Sequence, residues 1–295
     1  MTTIQDLLAD AHRVLTGDDA RQESEWLMDA CCGIGRARQV AHPDATVPAD
    51  KVDQFRSALQ RRHSGEPLAY IIGKRDFWDM QLYVTPDVLI PQPDTEVLVE
   101  QALARIPDNA AWRIADLGTG SGAIALALAK ERPACQLVAS DTSAAALSVA
   151  ARNVKACRVS NVSLINTSWL APLGPGSLDM IVSNPPYVAD DDPCLLEGDV
   201  SREPRQALVA GPEGLDELEQ IIRDSAHALK EDGWLLVEHG HDQASAVATM
   251  LASSGYREVF TLQDYGGNDR VSGGRRDDAD CLLYTSDAAD DSVLV

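Results

Sequence analysis

The chain has 295 residues and a formal net charge of −21, from 25 basic and 46 acidic side chains. Such acidity argues against a nucleic-acid substrate unless a local basic patch compensates. The six cysteines (Cys31, Cys32, Cys135, Cys157, Cys194, Cys281) form no C-x-x-C pair, which argues against a zinc site or a disulfide framework.

At this length two domains and a sizeable core are expected. No charged-then-apolar leader opens the chain and no apolar run approaches about eighteen residues, so a cytoplasmic protein without membrane spans is expected. Residues 3 to 64 read as helical. Ile4, Leu7, Leu8, Ala11 and Leu15 share one face of a first helix, which Gly17 ends. Asp18-Asp19 is positioned to cap a second helix with Trp26 and Leu27 on its buried side. A shorter helix begins near Gly35, and another spans 48–63 after the His42-Pro43-Asp44 turn. Arg56, Arg61, Arg62 and His63, followed by Lys74 and Arg75, form the one convincing basic cluster, read as a solvated helix face. Residues 68–85 alternate apolar and aromatic positions around Gly73, the pattern of a hairpin.

From Thr95 onward helix and strand patterns alternate, as in a parallel sheet with helices on both faces. Strands are predicted at 112–116, 135–140, 162–166, 178–183, 233–238 and 256–262, with a last one near 270–273. After the first of these comes Gly118-Thr119-Gly120-Ser121-Gly122, then the helical run Ala123 to Lys130. Strand, glycine loop and helix bring a cofactor against backbone at a helix N-terminus. Asp141 ends the next strand about twenty residues on, where an acid can accept from ribose hydroxyls. A nicotinamide-binding domain competes for this reading. However, the spacing is G-x-G-x-G, and Asp116 stands where an acid can meet an ammonium group. S-adenosylmethionine (SAM) carries an ammonium and a ribose but no pyrophosphate.

The strand at 178–183 runs into Asn184-Pro185-Pro186-Tyr187. Two prolines donate no N–H and fix φ, so the strand stops there and the loop is stiff. The Asn184 side chain and the proline carbonyls offer acceptors, and Tyr187 adds a flat wall. This arrangement suits a planar amide or exocyclic amine aimed at an electrophile; a plain strand-ending turn is the alternative. Glu238-His239-Gly240-His241 offers two histidines without a third nearby ligand, so no metal is expected. Asp190-Asp191-Asp192 reads as a solvated loop.

The two motifs together resemble a class I SAM-dependent methyltransferase of the N-P-P-Y type. Further matches narrow the resemblance to the HemK/PrmC family of protein-(glutamine-N5) methyltransferases. They are Arg62-His63-Ser64-Gly65-Glu66-Pro67-Leu68-Ala69-Tyr70, Phe77-Trp78, Val84 to Glu96 with its Pro91-Gln92-Pro93-Asp94-Thr95-Glu96 core, Gly198-Asp199-Val200, Glu203-Pro204, Ala207-Leu208 and Asp264-Tyr265-Gly266. Gln92 stands where the family has arginine, removing a bidentate fork. Val200-Ser201-Arg202-Glu203-Pro204 also departs from the family's order, and Ser168 precedes Trp169 where an acid is usual.

The resemblance implies a mostly parallel seven-stranded α/β sheet of class I methyltransferase type. It also implies a helical substrate-docking domain at 1–67, a hairpin linker at 68–92 and the methyltransferase domain at 93–274. Gly118, Thr119, Gly120, Ser121, Gly122, Asp141, Trp169 and Asn184 would bind SAM, with Trp169 lining the adenine pocket. Asn184, Pro185, Pro186 and Tyr187 would bind the substrate amide, and Asn184, Pro185 and Tyr187 would carry catalysis. The implied substrate is the glutamine of the Gly-Gly-Gln motif in peptide chain release factors, met by a monomeric enzyme. Two other functions fit parts of the sequence. The same grip fits adenine N6 or guanine N2 of a nucleic acid, and the altered segments fit a silent SAM-binding docking module. Finally, Cys281 to Ser286 translates a sequence resembling a transposase adapter, so 275–295 is expected to be a non-native read-through tail.

Overall fold

Thr3 opens the first helix through a capping box: its hydroxyl accepts from Asp6 N, and Asp6 accepts from Thr3 N. The computed structural model describes residues 1–170 and 174–277. These divide into two units, one of residues 1–75, 83–90 and 193–204, the other of residues 76–82, 91–192 and 205 onward.

The first unit is built on helices α1 (Ile4–Val14), α2 (Ala20–Cys32), α3 (Arg36–Ala41), α4 (Ala49–His63) and α5 (Leu68–Ile72). Ile4, Leu7, Leu27, Met28 and Phe55 are fully buried in its core. Each such side chain contributes roughly 1.5–3 kcal/mol through burial. Three expectations are corrected here. Trp26 is 47% exposed, because the buried stripe of α2 runs through Ser24, Leu27 and Met28 and the adjacent position points about 100° away. Asp19 occupies the N-cap of α2 but its side chain makes no cap hydrogen bond among the described residues, since its backbone is already αR. Leu68–Ile72 is a helix closed by Gly73 at φ 75°, so the hairpin begins only at Lys74.

Arg62 also departs from the solvated face expected of it. It donates to Glu23 at 2.7 and 2.9 Å and to Asp199 at 2.6 Å, while Arg61 pairs with Glu66 and Arg56 with Asp10. These arginines are matched by carboxylates of their own unit, which weakens the cluster as a phosphate tract. The departed segment 200–204 has a structural task in the same unit. Glu203 accepts from Ile90 N at 2.8 Å, and Arg202 donates to Ser64 O at 3.2 Å.

Strands β1 (Lys74–Phe77) and β2 (Met80–Tyr83) form a two-stranded sheet. Its tip belongs to the second unit, where Trp78 N donates to Glu96 Oε1 at 2.8 Å and Lys130 pairs with Asp79 at 2.6 Å. The elements that follow are α6 (Thr95–Arg105), β3 (Arg113–Leu117), α7 (Ala123–Glu131), β4 (Gln136–Asp141), α8 (Ala144–Cys157), β5 (Val162–Asn166) and β6 (Leu178–Ser183). The chain continues with α9 (Asp216–Ala228), β7 (Leu229–Glu238), α10 (Ala244–Ser253), β8 (Tyr256–Gln263) and β9 (Asp269–Arg276). Seven strands make one sheet in the order β5-β4-β3-β6-β7-β9-β8, with β9 antiparallel to both neighbours.

Alternation along the strands fills both faces. Ile114, Met180, Val182 and Leu236 meet Leu98 and Leu126 on one side. Ala115, Leu117, Ile181, Leu235 and Val237 meet Ile221, Ile222, Val247 and Leu251 on the other. β7 starts four residues earlier than predicted, because Leu229 pairs with Leu178 before the register shifts and pairing resumes at Trp234. β9 runs through Arg275 and Arg276, which pair with Trp234 and Tyr256. The rest of the segment expected to be a read-through tail, from residue 278, lies outside the described residues.

Candidate active site

The sheet changes direction of growth between β3 and β6, and the sequence-predicted site residues gather at that switch point. Leu117 pairs with Ser183 and also with Ser140, so Gly118, Asn184 and Asp141 emerge side by side at the carboxyl ends of three neighbouring strands. Ser183 Oγ donates to Leu117 O at 2.8 Å and locks that register beside the site.

Gly118, Gly120 and Gly122 have φ of 70°, 53° and 86°, a region that side chains disfavour. A Cβ on Gly118 would lie 3.3 Å from the Trp169 ring and 4.0 Å from Asn184 O. The same atom on Gly120 would meet nothing among the described residues within 4 Å. The loop therefore has a crowded wall at Gly118 and open space at Gly120, where a ligand can reach backbone. The Thr119 hydroxyl gives its proton to Asp116 Oδ2 at 2.6 Å, so it has no donor left for a ligand. Ser121 is buried, and its carbonyl accepts from Asn153 Nδ2 at 2.9 Å.

Two carboxylates shape the loop. Asp141 accepts from Gly120 N at 2.9 Å and from Ser143 N at 2.8 Å, so it ties the glycine loop to the start of α8. Asp116 is fully buried and also accepts from Ala125 N at 3.1 Å, while its Oδ1 has no hydrogen-bond partner among the described residues. Burial pushes its carboxyl up to about 6. An orphaned buried carboxylate oxygen costs roughly 1–3 kcal/mol, which a bound cation or donor would relieve. Trp169 sits at φ 44°, in the left-handed region, held by Nε1 donating to Glu217 Oε2 at 2.9 Å. A strained residue over-determined by its neighbours is common at ligand sites.

The Asn184-Pro185-Pro186-Tyr187 loop is fixed from behind. Asn184 Nδ2 donates to Thr95 Oγ1 at 3.1 Å, which leaves Oδ1 as the acceptor it can offer a substrate. Pro185 is buried and Pro186 half-buried. Tyr187 N donates to Leu208 O at 3.1 Å, Val188 N to the same carbonyl at 2.8 Å, and Gln243 Nε2 to Tyr187 O at 2.9 Å. The Ala207-Leu208 motif is thus the backbone partner of the loop. Tyr187 donates its hydroxyl to Glu238 Oε1 at 3.1 Å, and burial raises the tyrosine's affinity for its proton.

Sequence reasoning missed Thr95 and Glu238. Thr95 lies inside the 91–96 motif, which enters the sequence reading only as a match to the family; Glu238 enters it only beside the two histidines of Glu238-His239-Gly240-His241. His239, its neighbour, contacts Ser272 Oγ and Gly240 O, each at 2.8 Å, and burial lowers its pKa. The Glu238 carboxyl is pushed up to about 7 by burial, against the pull of the Thr95 and Tyr187 hydroxyls and Arg270. A native carboxyl that keeps its proton to higher pH than the unfolded one contributes its full stability below its ordinary pKa. That contribution is lost as pH rises through about 7. The stability difference between wild type and Glu238→Gln, measured by urea unfolding, should therefore shift in favour of the variant by on the order of 3 kcal/mol from about pH 5 to about pH 8. A pH-independent difference would contradict the assignment.

At the opposite ends of the strands, a cavity of about 370 Å³ is lined by Arg105, Asp179, Lys230, Asp232 and Trp234. Lys230 pairs with Asp179 at 2.7 Å, and the Arg105 guanidinium stacks on Phe260 and Trp234 at 4.0 and 4.8 Å. Its charges serve the fold.

Comparison with known proteins agrees with this geometry. Residues 93–200 match the family model described as Methyltransferase small domain, and residues 6–73 match the PrmC N-terminal domain. A solved methyltransferase from Pyrococcus furiosus, 13% identical, shares the fold at a TM-score of 0.52 over 75% of this chain and 99% of its own. Fold and site together define a class I methyltransferase. The release factor glutamine methyltransferase of Salmonella typhimurium is 47% identical over 258 residues, covering 88% of this chain and 93% of the relative. The one from Escherichia coli is 44% identical over the same shares. The chain belongs to the release factor glutamine methyltransferase family.

Proposed function

We propose that this protein transfers a methyl group from SAM to the side-chain amide nitrogen of the glutamine in the Gly-Gly-Gln motif of peptide chain release factors. The observation that carries the reading is the Asn184 carboxamide, whose nitrogen is held by Thr95 and whose backbone lies against the Gly118 turn of the glycine loop.

The residues present fit SAM. Gly120 leaves room for close approach, Asp116 Oδ1 is a buried acceptor suited to an ammonium, and Asp141 can accept from ribose hydroxyls while holding Gly120 N. Trp169, packed over Gly118, would flank the adenine. When bound, SAM supplies an electrophilic methyl on a sulfonium.

The remaining work falls to the chain's own groups. A carboxamide nitrogen is a poor nucleophile because its lone pair is delocalised into the carbonyl. Asn184 Oδ1 and the Pro185 carbonyl would accept its two hydrogens, pinning the group and favouring electron density on nitrogen. Pro185 and Pro186 bring no N–H that could compete for those acceptors. The Tyr187 ring would pack beside the amide and exclude water. Rate then comes chiefly from alignment, since well-oriented reactants avoid most of the entropic barrier. No nucleobase need be invoked, and Arg56, Arg61 and Arg62 of the basic cluster are matched by carboxylates of their own unit.

Incubation with labelled SAM, a release factor and bulk RNA or DNA tests the reading. Label should appear on the glutamine of the Gly-Gly-Gln peptide by mass spectrometry. Label confined to nucleic acid would sink it in favour of an amino-methyltransferase, and no transfer with intact SAM binding would favour a silent docking module. Among the described residues no helix is long and apolar enough to cross a membrane, and a cytoplasmic monomer meeting its release factor in solution fits this function.

A further inference from the structure

Behind the Asn184–Tyr187 loop, two hydroxyls converge on one buried carboxylate. Tyr187 donates to Glu238 Oε1 at 3.1 Å. Asn184 Nδ2 donates to Thr95 Oγ1 at 3.1 Å, and the Thr95 hydroxyl in turn favours the ionised form of the Glu238 carboxyl. Glu238 ends β7 and is 2% exposed; Thr95 opens α6 and is 4% exposed. Arg270, from β9, and Asp94, just before α6, are the other charged groups that act on Glu238. Arg270 is itself shared with Asp264 at 3.1 Å and Asp94 at 3.9 Å. Glu238 Oε2 has no hydrogen-bond partner among the described residues.

The polarity of this chain matters more than its strength. Once ionised, above about pH 7, the Glu238 carboxylate can only accept hydrogen bonds. In that state Thr95 gives its single proton to Glu238 and keeps only lone pairs for Asn184. Lone pairs at that point admit the Asn184 nitrogen and repel its oxygen, so the carboxamide cannot turn over. Turned over, it would present N–H groups to the N–H groups of the substrate amide. A buried carboxylate with an unpartnered oxygen is a poor stabilising device, because desolvation exceeds what two neutral donors return.

We propose that Glu238 and Thr95 are positioning residues for methyl transfer: the carboxylate orients the Thr95 and Tyr187 hydroxyls, which set the Asn184 oxygen and the Tyr187 ring toward the incoming amide. This rests on the reading of Asn184 as the substrate clamp. Neither residue touches substrate; both act through the loop.

Steady-state methylation of a release factor bearing Gly-Gly-Gln, with SAM affinity by calorimetry, tests the assignment in Thr95→Val, Thr95→Ser, Glu238→Gln and Asn184→Ala. Thr95→Val and Glu238→Gln should each lower kcat about tenfold or more, with the SAM Kd within about threefold of wild type. Thr95→Ser should recover most of the loss, since it restores the hydroxyl alone. The Thr95→Val/Glu238→Gln double variant should be no worse than its poorer single, as expected of two links in one chain. Glu238→Gln should also keep a thermal midpoint at about pH 8 no lower than wild type, so that its fall in kcat there is not a loss of fold. If Glu238→Gln does not fold, the Thr95 pair decides. Thr95→Val with wild-type kcat beside an inactive Asn184→Ala overturns this inference and leaves the clamp standing. Thr95→Ser as poor as Thr95→Val overturns it too, and an active Asn184→Ala removes the clamp reading itself.

Discussion

Asn184→Ala should lower methyl transfer by on the order of a thousandfold while SAM affinity stays within about tenfold. On the proposed reading, the substitution deletes the acceptor for one amide hydrogen and leaves the Pro185 carbonyl to hold the other alone. A substrate amide pinned at one point rotates about it, and in-line alignment is lost. The proposed cofactor side should be spared, because Gly120, Asp116 and Asp141 are held by bonds that do not include the Asn184 side chain. The buried Thr95 hydroxyl loses a donor yet keeps Glu238 as its acceptor, so folding should suffer little. Single-turnover kinetics with saturating SAM give the rate, and titration calorimetry gives the affinity. Near-normal turnover would remove Asn184 from its role.

Gly214→Ala should be the most damaging change that touches neither cofactor nor substrate. Gly214 has φ 69°, and a Cβ there would lie 2.2 Å from Tyr187 O and 2.9 Å from Gln243 Nε2. The first neighbour is backbone and cannot yield cheaply. Gln243 Nε2 holds Tyr187 O at 2.9 Å and Gly214 O at 3.2 Å, so the methyl would break the support of the whole loop. Left-handed strain of roughly 1–2 kcal/mol adds to an overpacking cost of roughly 1–3 kcal/mol. A stability loss of about 2–5 kcal/mol with at least a tenfold fall in kcat is expected from urea unfolding and turnover. Gly255→Ala is the control: φ there is 80° with no atom among the described residues within 4 Å, so strain acts alone and kcat should hold. Equal behaviour of the two variants would show that the Tyr187 contact is unimportant.

Legibility in the sequence followed the range of the forces involved. The strand–glycine–helix unit at 113–131 and the stop at Pro185-Pro186 are local, since φ restriction and missing N–H groups act within a few residues. The short strand at 162–166 and the long helix at 48–63 were likewise visible from pattern. Leu68–Ile72 was misread because five residues are too short to show a 3.6 period against the alternation of the neighbouring hairpin. The extension of β7 to Leu229 was hidden because its pairing with Leu178 skips over an irregular stretch. Trp26 was placed inward on hydrophobicity alone, although its helical position faces away from the stripe.

The sequence by itself determined the sheet-and-helix alternation, the two loops at the switch point of the sheet, and the family. Each rests on short-range backbone chemistry and on residue identity, both of which are written along the chain. Only the tertiary structure decided which groups hold those loops. Thr95 reaches Asn184 across 89 positions and Glu238 reaches Tyr187 across 51, and Arg62 reaches Asp199 across 137. Those pairings depend on strand order and register, which side-chain packing over the whole sheet selects. A carboxylate at the end of a strand has no signature until the fold shows which hydroxyls it faces.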